Sequence, residues 1–207
     1  MVKKSECSYY EMLYEVAVAV NSARTPEGVL RSAIENVAGA VGAKGCSLLL
    51  LTPDGKRLLH TATCGLSDGY VRKGPISVDK SIAEALAGKP VAVLDATTDK
   101  RVQYREQKKK EGIVSILSVP IMLRGKAIGV IRVYTAEPRQ FTRDDIYFVS
   151  AVANLGAIAL ENAQLYNLVQ KDYETVRQDM LTCRATLADE WIGQEPGVVA
   201  HRWWKFM

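Results

Sequence analysis

Four cysteines, two histidines and one run of basic residues are the side chains that could do chemistry in this 207-residue chain. Cys7, Cys46, Cys64 and Cys183 lack paired metal-ligand spacing and are too sparse for a disulfide scaffold, so reduced thiols are expected. A thiol enzyme needs a thiolate nucleophile and a second thiol to resolve its sulfenic acid. Cys64 has no such partner in the loop after it, and Cys46 and Cys64 read as small apolar residues of strands. His60 lies inside a strand-like run and His201 near the end of the chain. No Ser-His-Asp order, pair of carboxylates on one helix face, Walker loop or zinc spacing appears, which argues against an enzyme. Lys100, Arg101, Arg105, Lys108, Lys109 and Lys110 could draw an anionic ligand or an acidic partner. Their neighbours Asp99, Glu106 and Glu111 favour a solvated helix face instead.

These side chains must be positioned by a compact α+β framework. Helical spacing of Tyr9, Met12, Leu13, Val16 and Val20 predicts a helix over 5–22, and Thr25-Pro26-Glu27 opens a second with Thr as cap and Pro at the first position. Residues 46–51 and 57–64 form a hairpin about Pro53-Asp54-Gly55-Lys56. Residues 65–80, with three glycines and a proline, read as a loop with little regular structure, followed by a short helix over 81–87 and a strand over 91–94. A short basic helix over 105–111 stops at Gly112. Then come two β-branched runs about Arg124-Gly125-Lys126, and a helix opening at Phe141-Thr142 with Asp144 and Asp145 at its positive end. Short turns without regular βαβ repeats predict an antiparallel sheet.

In this order, the S-x-L-S-V-P run of residues 115–120, G-x-x-x-G-V-I of residues 125–131 and F-T-x-x-D of residues 141–145 resemble the closing half of a GAF domain. The resemblance extends over about residues 9–168. It implies a central antiparallel sheet with terminal helices on one face and a ligand pocket under short helices on the other. Cyclic-nucleotide members resemble one another in an Asn-Lys pair and a downstream Asp-Glu; here Thr135-Ala136 and Ile146 depart from both, which argues against a cyclic nucleotide. Residues 95–112 carry neither the cysteine nor the histidine that a covalent bilin requires, and haem lacks an evident axial ligand. Free methionine-R-sulfoxide reductases resemble the same fold, and the isolated Cys64 departs from their clustered cysteines. The cofactor is therefore left unknown.

The pocket that the resemblance implies lies between the sheet and residues 66–112. It would be lined by Tyr70, Ile82, Asp95, Thr97, Thr98, Tyr104, Ser115 and Ser118, a mixture suited to a small polar metabolite. The competing reading is that these residues cap loops and fill a ligand-free core.

From Phe148 the positions Val152, Leu155, Ala159, Asn162, Tyr166, Val169, Tyr173, Val176, Met180, Cys183 and Leu187 step by four and three without a break, a heptad pattern in which the polar Asn162 would cost stability but could fix register. A homodimer through Asn162 to Leu187 is expected, with folding back on the N-terminal helix as the alternative. The domain plan is an N-terminal helix over 1–22, a GAF domain over 23–165, a helical extension over 166–190 and a tail over 191–207. The tail's Trp203, Trp204 and Phe206 need cover, most simply on the protein itself. A net charge of +4, 48% hydrophobic and 24% charged residues suit one domain with accessory helices, and do not by themselves imply nucleic acid. No apolar run of about 20 residues or signal-peptide core is evident, so a cytoplasmic protein is expected. The combined expectation is a dimeric sensor of a small metabolite that relays to a separate signalling protein, with a ligand-free scaffold or a thiol-dependent reductase as alternatives.

Overall fold

A computed structural model describes residues 3–22, 26–78 and 81–192. Two helices come first, α1 (Lys3–Ser22) and α2 (Pro26–Val41), and Thr25, the expected cap of α2, lies outside the described residues. The hairpin β1 (Gly45–Leu51) and β2 (Arg57–Cys64) follows. The expected loop over 65–80 holds two short elements, α3 (Asp68–Val71) and β3 (Ile76–Ser77). Elements of four and two residues are too short to show periodicity, but Ser67 caps α3 by accepting from the Tyr70 amide at 3.2 Å. Then come α4 (Ser81–Leu86), β4 (Val91–Val93), α5 (Arg105–Glu111), β5 (Ser115–Leu123), β6 (Lys126–Thr135) and α6 (Arg143–Ile192).

The strands form one antiparallel sheet in the order β3-β2-β1-β6-β5-β4. Because side chains alternate along a strand, each central strand supplies both faces. Cys46, Leu48, Leu117, Val119, Ile131 and Val133 pack against Leu30, Ile34 and Val37 of α2, Val16 of α1, and Phe148 and Val152 of α6. The opposite face is covered by the connections. Leu49, Leu58 and Val130 meet Ile76, Ile82 and Val91, while Ile116 and Tyr134 meet Tyr70, Val93 and Val102. Gly129 is required where β6 crosses β1, since a Cβ there would lie 2.3 Å from the Leu49 carbonyl oxygen.

The start of α6 is a capping box. The Thr142 hydroxyl accepts from the Asp145 amide at 3.1 Å, and the Asp145 carboxylate accepts from the Thr142 amide at 2.8 Å. Asp145, only 1% exposed, also accepts from the Tyr9 hydroxyl at 2.6 Å and pairs with Arg139 at 3.1 Å. Arg139 donates in turn to the Val41 carbonyl. Tyr9 stacks on Phe148 with centroids 4.7 Å apart, so one buried carboxylate ties α1 and α2 to α6.

The chain divides into two compact units, residues 1–163 and 164–207. Within the first, the heptad positions Phe148, Val152 and Ala159 are buried, so this part of the stripe serves its own core. Asn162 is exposed. In the second unit, Tyr166, Val169, Tyr173, Val176 and Met180 are between 58% and 70% exposed, and Cys183 is exposed as well. The side chain of Leu187 and the tail with Trp203, Trp204 and Phe206 lie outside the described residues. Against the expectation of no span-length apolar run, an 18-residue window of α6 reaches a mean hydropathy of 1.3, enough to cross a membrane by length and composition alone. Val149, Val152, Ala153 and Ala157 of that helix are core residues.

Candidate functional site

Arg132 stands at the centre of the connection-covered face. Its register partners are Ser47 on β1 and Ser118 on β5, so three polar side chains lie in a row across the middle of the sheet. Arg132 is 4% exposed and donates through Nε to Ser118 Oγ at 3.2 Å. Tyr134, two residues on and on the same face, shares a 2.9 Å hydrogen bond with Ser47 Oγ.

Two lysines from the covering segments join it. Lys108 of α5 is 1% exposed, and its ammonium group donates to the Gln103 carbonyl. Lys73, just after α3, donates to the Tyr70 carbonyl at 2.9 Å and lies 3.1 Å from His60 Nε2, with its Nζ 3.5 Å from the centroid of the Tyr70 ring. Burial lowers the Lys108 pKa to about 6, with Arg132 and Lys73 adding repulsion. Burial lowers Lys73 to about 8, with Arg132 again repelling and Glu111 partly offsetting. His60 falls to about 4 through burial, then Lys73, Arg132 and Lys108. These groups thus oppose one another's protonation in a site where Arg132 and Lys108 are buried and Lys73 and His60 half-buried. Among the described residues, none of Lys73, Lys108 and Arg132 forms an ion pair.

Two polar atoms of the same region, among the described residues, make no well-aligned hydrogen bond: His60 Nδ1, and the Tyr70 hydroxyl, which interacts with Tyr134. Lys73 occupies the acceptor at His60 Nε2, which leaves the proton on Nδ1, so Nδ1 is available as a donor.

The cover is pinned from several directions. Ser67 at the start of α3 binds Glu111 at the end of α5, its amide donating at 2.8 Å. Gln103 exchanges two hydrogen bonds with the Ser77 backbone, at 3.1 and 2.8 Å. Tyr104 donates to the Pro75 carbonyl at 2.9 Å from a left-handed backbone with φ 56°, a conformation that costs energy in a non-glycine residue.

Of the expected pocket residues, Tyr70 and Ser118 belong to this cluster, Ile82 lies in the neighbouring apolar core, and Tyr104 holds the cover. Ser115 does not face the cluster. It is three residues from Ser118 and so on the other side of the strand, where its hydroxyl donates to Leu94 O at 2.5 Å and accepts from the Arg139 amide. Asp95 accepts from the Thr97 amide and hydroxyl at 2.8 and 2.6 Å, a turn-capping arrangement, and Thr98 is exposed. Those residues do what the loop-capping alternative expects. Arg132, Lys73 and His60 lie outside the set of residues that the sequence predicts for the pocket, and Lys108, expected on a solvated helix face, is buried.

The thiols lie elsewhere. Cys46 and Cys64 are directly opposed across β1 and β2, although sequence separation hides this, and both pack in the helix-side core away from Arg132. Burial pushes both thiols up, Cys46 well above its ordinary value, so neither is poised as a thiolate. No group of histidine, cysteine and carboxylate side chains able to hold a metal ion occurs among the described residues.

Several solved structures share this fold. The GAF domain of a phosphoenolpyruvate-protein phosphotransferase from Coxiella burnetii superimposes with a TM-score of 0.71 and 20% identity, covering 80% of this chain and 99% of that one. A free methionine-R-sulfoxide reductase from Neisseria meningitidis, solved with its substrate, gives 0.66 and 18%, covering 80% and 95%. A domain of a putative two-component sensor histidine kinase from Sinorhizobium meliloti 1021 gives 0.61 and 19%, covering 72% and 99%. At these identities the likeness is one of fold. No curated protein matches the sequence significantly. The GAF domain family model matches residues 23–161, the whole sheet with α2 and most of the buried part of α6, and the chain belongs to the GAF domain family.

Proposed function

We propose that this chain is a cytoplasmic, small-ligand-sensing GAF module that acts as a homodimer, relays occupancy to a separate signalling protein and catalyses no reaction. The observation that carries the ligand half is the set of buried polar groups under α3 and α5. The His60 Nδ1 donor is unpaired and the Tyr70 hydroxyl has only Tyr134 beside it, next to basic side chains without counter-ions among the described residues, which is costly unless a guest completes the hydrogen bonding. The dimer half rests on the exposed heptad positions from Tyr166 to Met180, which a second copy would cover. The sensor kinase domain among the structural neighbours fits this class of function.

The two halves meet in β6. Arg132 and Tyr134 face the ligand side, while Ile131 and Val133 pack in the core that includes Phe148 and Val152 of α6. A guest that binds one placement of β6 better than another shifts the population of helix arrangements by that difference in affinity.

Native mass spectrometry of freshly purified protein, followed by denaturation, tests the reading. A dimer that releases a reproducible small mass supports it, and a clean monomer without extra mass refutes it. The reductase reading is tested separately by turnover of free methionine sulfoxide with a thiol reductant. Turnover that disappears in Cys64→Ser would replace our assignment, whereas no turnover in the wild type agrees with the position of Cys64 behind the sheet.

A further inference from the structure

We propose that the guest is a small oxyanion, carrying a carboxylate or phosphate group that is clasped by Arg132, Lys73 and Lys108 and capped by hydrogen bonds from His60 and Tyr70. This rests on the sensor reading above and specifies its ligand class.

Three basic side chains from three separate segments, β6, the end of α3 and α5, cover one face without a carboxylate bound to any of them among the described residues. Bringing them together in a largely buried site is unfavourable by both desolvation and mutual repulsion. Glu111 is the one acidic group that influences Lys73, and its two oxygens are taken by the Ser67 amide and hydroxyl. Lys73 Nζ lies 3.1 Å from His60 Nε2, and Arg132 and Lys73 are the charges that bear on Lys108. An oxyanion answers each of these groups at once. The guanidinium of Arg132 uses only Nε on Ser118, which leaves its outer edge for a bidentate contact. The two lysines add point charges when protonated, the unpaired Nδ1–H of His60 adds a donor, and the Tyr70 hydroxyl can turn from Tyr134 to donate to the guest. A neutral guest would leave the like charges uncompensated.

Proton linkage follows. With Lys108 lowered to about 6, its amine is largely neutral near pH 7, and an anion beside it draws a proton onto it. Binding near neutral pH should therefore take up protons from the buffer.

The test is calorimetric titration of the full chain with inorganic phosphate and, separately, with succinate, each in two buffers of different ionisation heat near pH 7. These probes distinguish a phosphate from a carboxylate source of the same chemistry. We expect one of them to bind with a dissociation constant of about 1 mM or tighter. Arg132→Gln and Lys73→Met, each checked for wild-type circular dichroism, should weaken it about tenfold or more, since each removes a charge-assisted contact. Lys109→Met, an exposed neighbour on α5, should leave it unchanged. Binding heats that scale with buffer ionisation heat in the wild type and not in Lys108→Met complete the expectation. If neither probe binds, or if binding is indifferent to both Arg132→Gln and Lys73→Met, the oxyanion inference is overturned. A neutral compound released from the native dimer would overturn it too while leaving the sensor reading intact.

Discussion

Replacing Lys108 by methionine should make the unliganded protein more stable, and the gain should vanish as the pH rises. The ammonium group is 1% exposed and has Arg132 and Lys73 as its charged neighbours. An unfolded lysine holds its proton to about pH 10.4, whereas in the folded protein it is released at about 6. Between those values the unfolded state binds the extra proton, so wild-type stability rises with pH by about 1.4 kcal/mol per unit. At pH 7 this term weighs against the folded wild type by about 4 to 5 kcal/mol, and at pH 9 by about 2 kcal/mol. Methionine escapes it, suits a helix and has a similar length, but it leaves the Gln103 carbonyl without its donor, a loss of about 1 to 3 kcal/mol. The balance is a gain of about 2 to 3 kcal/mol at pH 7 and none at pH 9. Lys73, lowered to about 8, titrates in both proteins and cancels to first order in the difference. Urea denaturation followed by circular dichroism at about pH 7, 8 and 9, at fixed protein concentration, measures this. A Lys108→Met protein that is less stable than the wild type at pH 7, or a difference flat across the range, would refute the reasoning.

Gly129→Ala should cost about 2 to 4 kcal/mol, read as a lowered thermal midpoint, because the new Cβ would stand 2.3 Å from the Leu49 oxygen and force β6 from β1. Asp145→Ala removes the acceptor shared by Tyr9, Arg139 and the Thr142 amide and should cost about 3 kcal/mol, with α1 cut first in limited proteolysis. The Asp145 carboxyl is held below its ordinary value, burial being outweighed by those same donors, so its contribution is present above about pH 4 and is lost as the pH falls through its folded pKa. In the wild type, but not in Asp145→Ala, stability should fall accordingly on acidification. Val176→Glu and Met180→Glu should each convert a dimer to a monomer in native mass spectrometry while leaving the circular dichroism of the first unit unchanged.

Most of the framework was legible because its elements are long enough to repeat. The β1–β2 and β5–β6 hairpins, α2 and α6 all show their period and their turn residues in the sequence. Thr142 and Asp145 announced the start of α6 by residue type alone. The site was less legible because it is assembled from positions without local periodicity. Arg132 sits in a run of β-branched residues, and the usable signal was parity: it shares a face with Val130 and Tyr134 in a strand that needs cover on both sides. The same parity separates Ser115 from Ser118 and would have removed Ser115 from the pocket. Lys108 is one of three consecutive lysines on a seven-residue helix, where composition cannot say which one turns inward. Lys73 and His60 meet only through tertiary structure.

The cation cluster and the helix layer are not independent features of the sheet. Ile131 and Val133 flank Arg132 in sequence, and both are fully buried against the helix-side core. Any displacement of Arg132 normal to the sheet is therefore shared with residues that pack beside Phe148 and Val152. A close-packed interior transmits such a displacement instead of absorbing it. The register row Ser47–Arg132–Ser118 spreads the same load to β1 and β5, whose Leu48 and Leu117 lie in that core as well. Lys73 and Arg132, joined by Lys108 when it is protonated, repel one another, and the proposed oxyanion would offset that repulsion. Arg132 and the α6 core thus share a single strand, which is the route by which the proposed ligand would act on the helix layer without touching it.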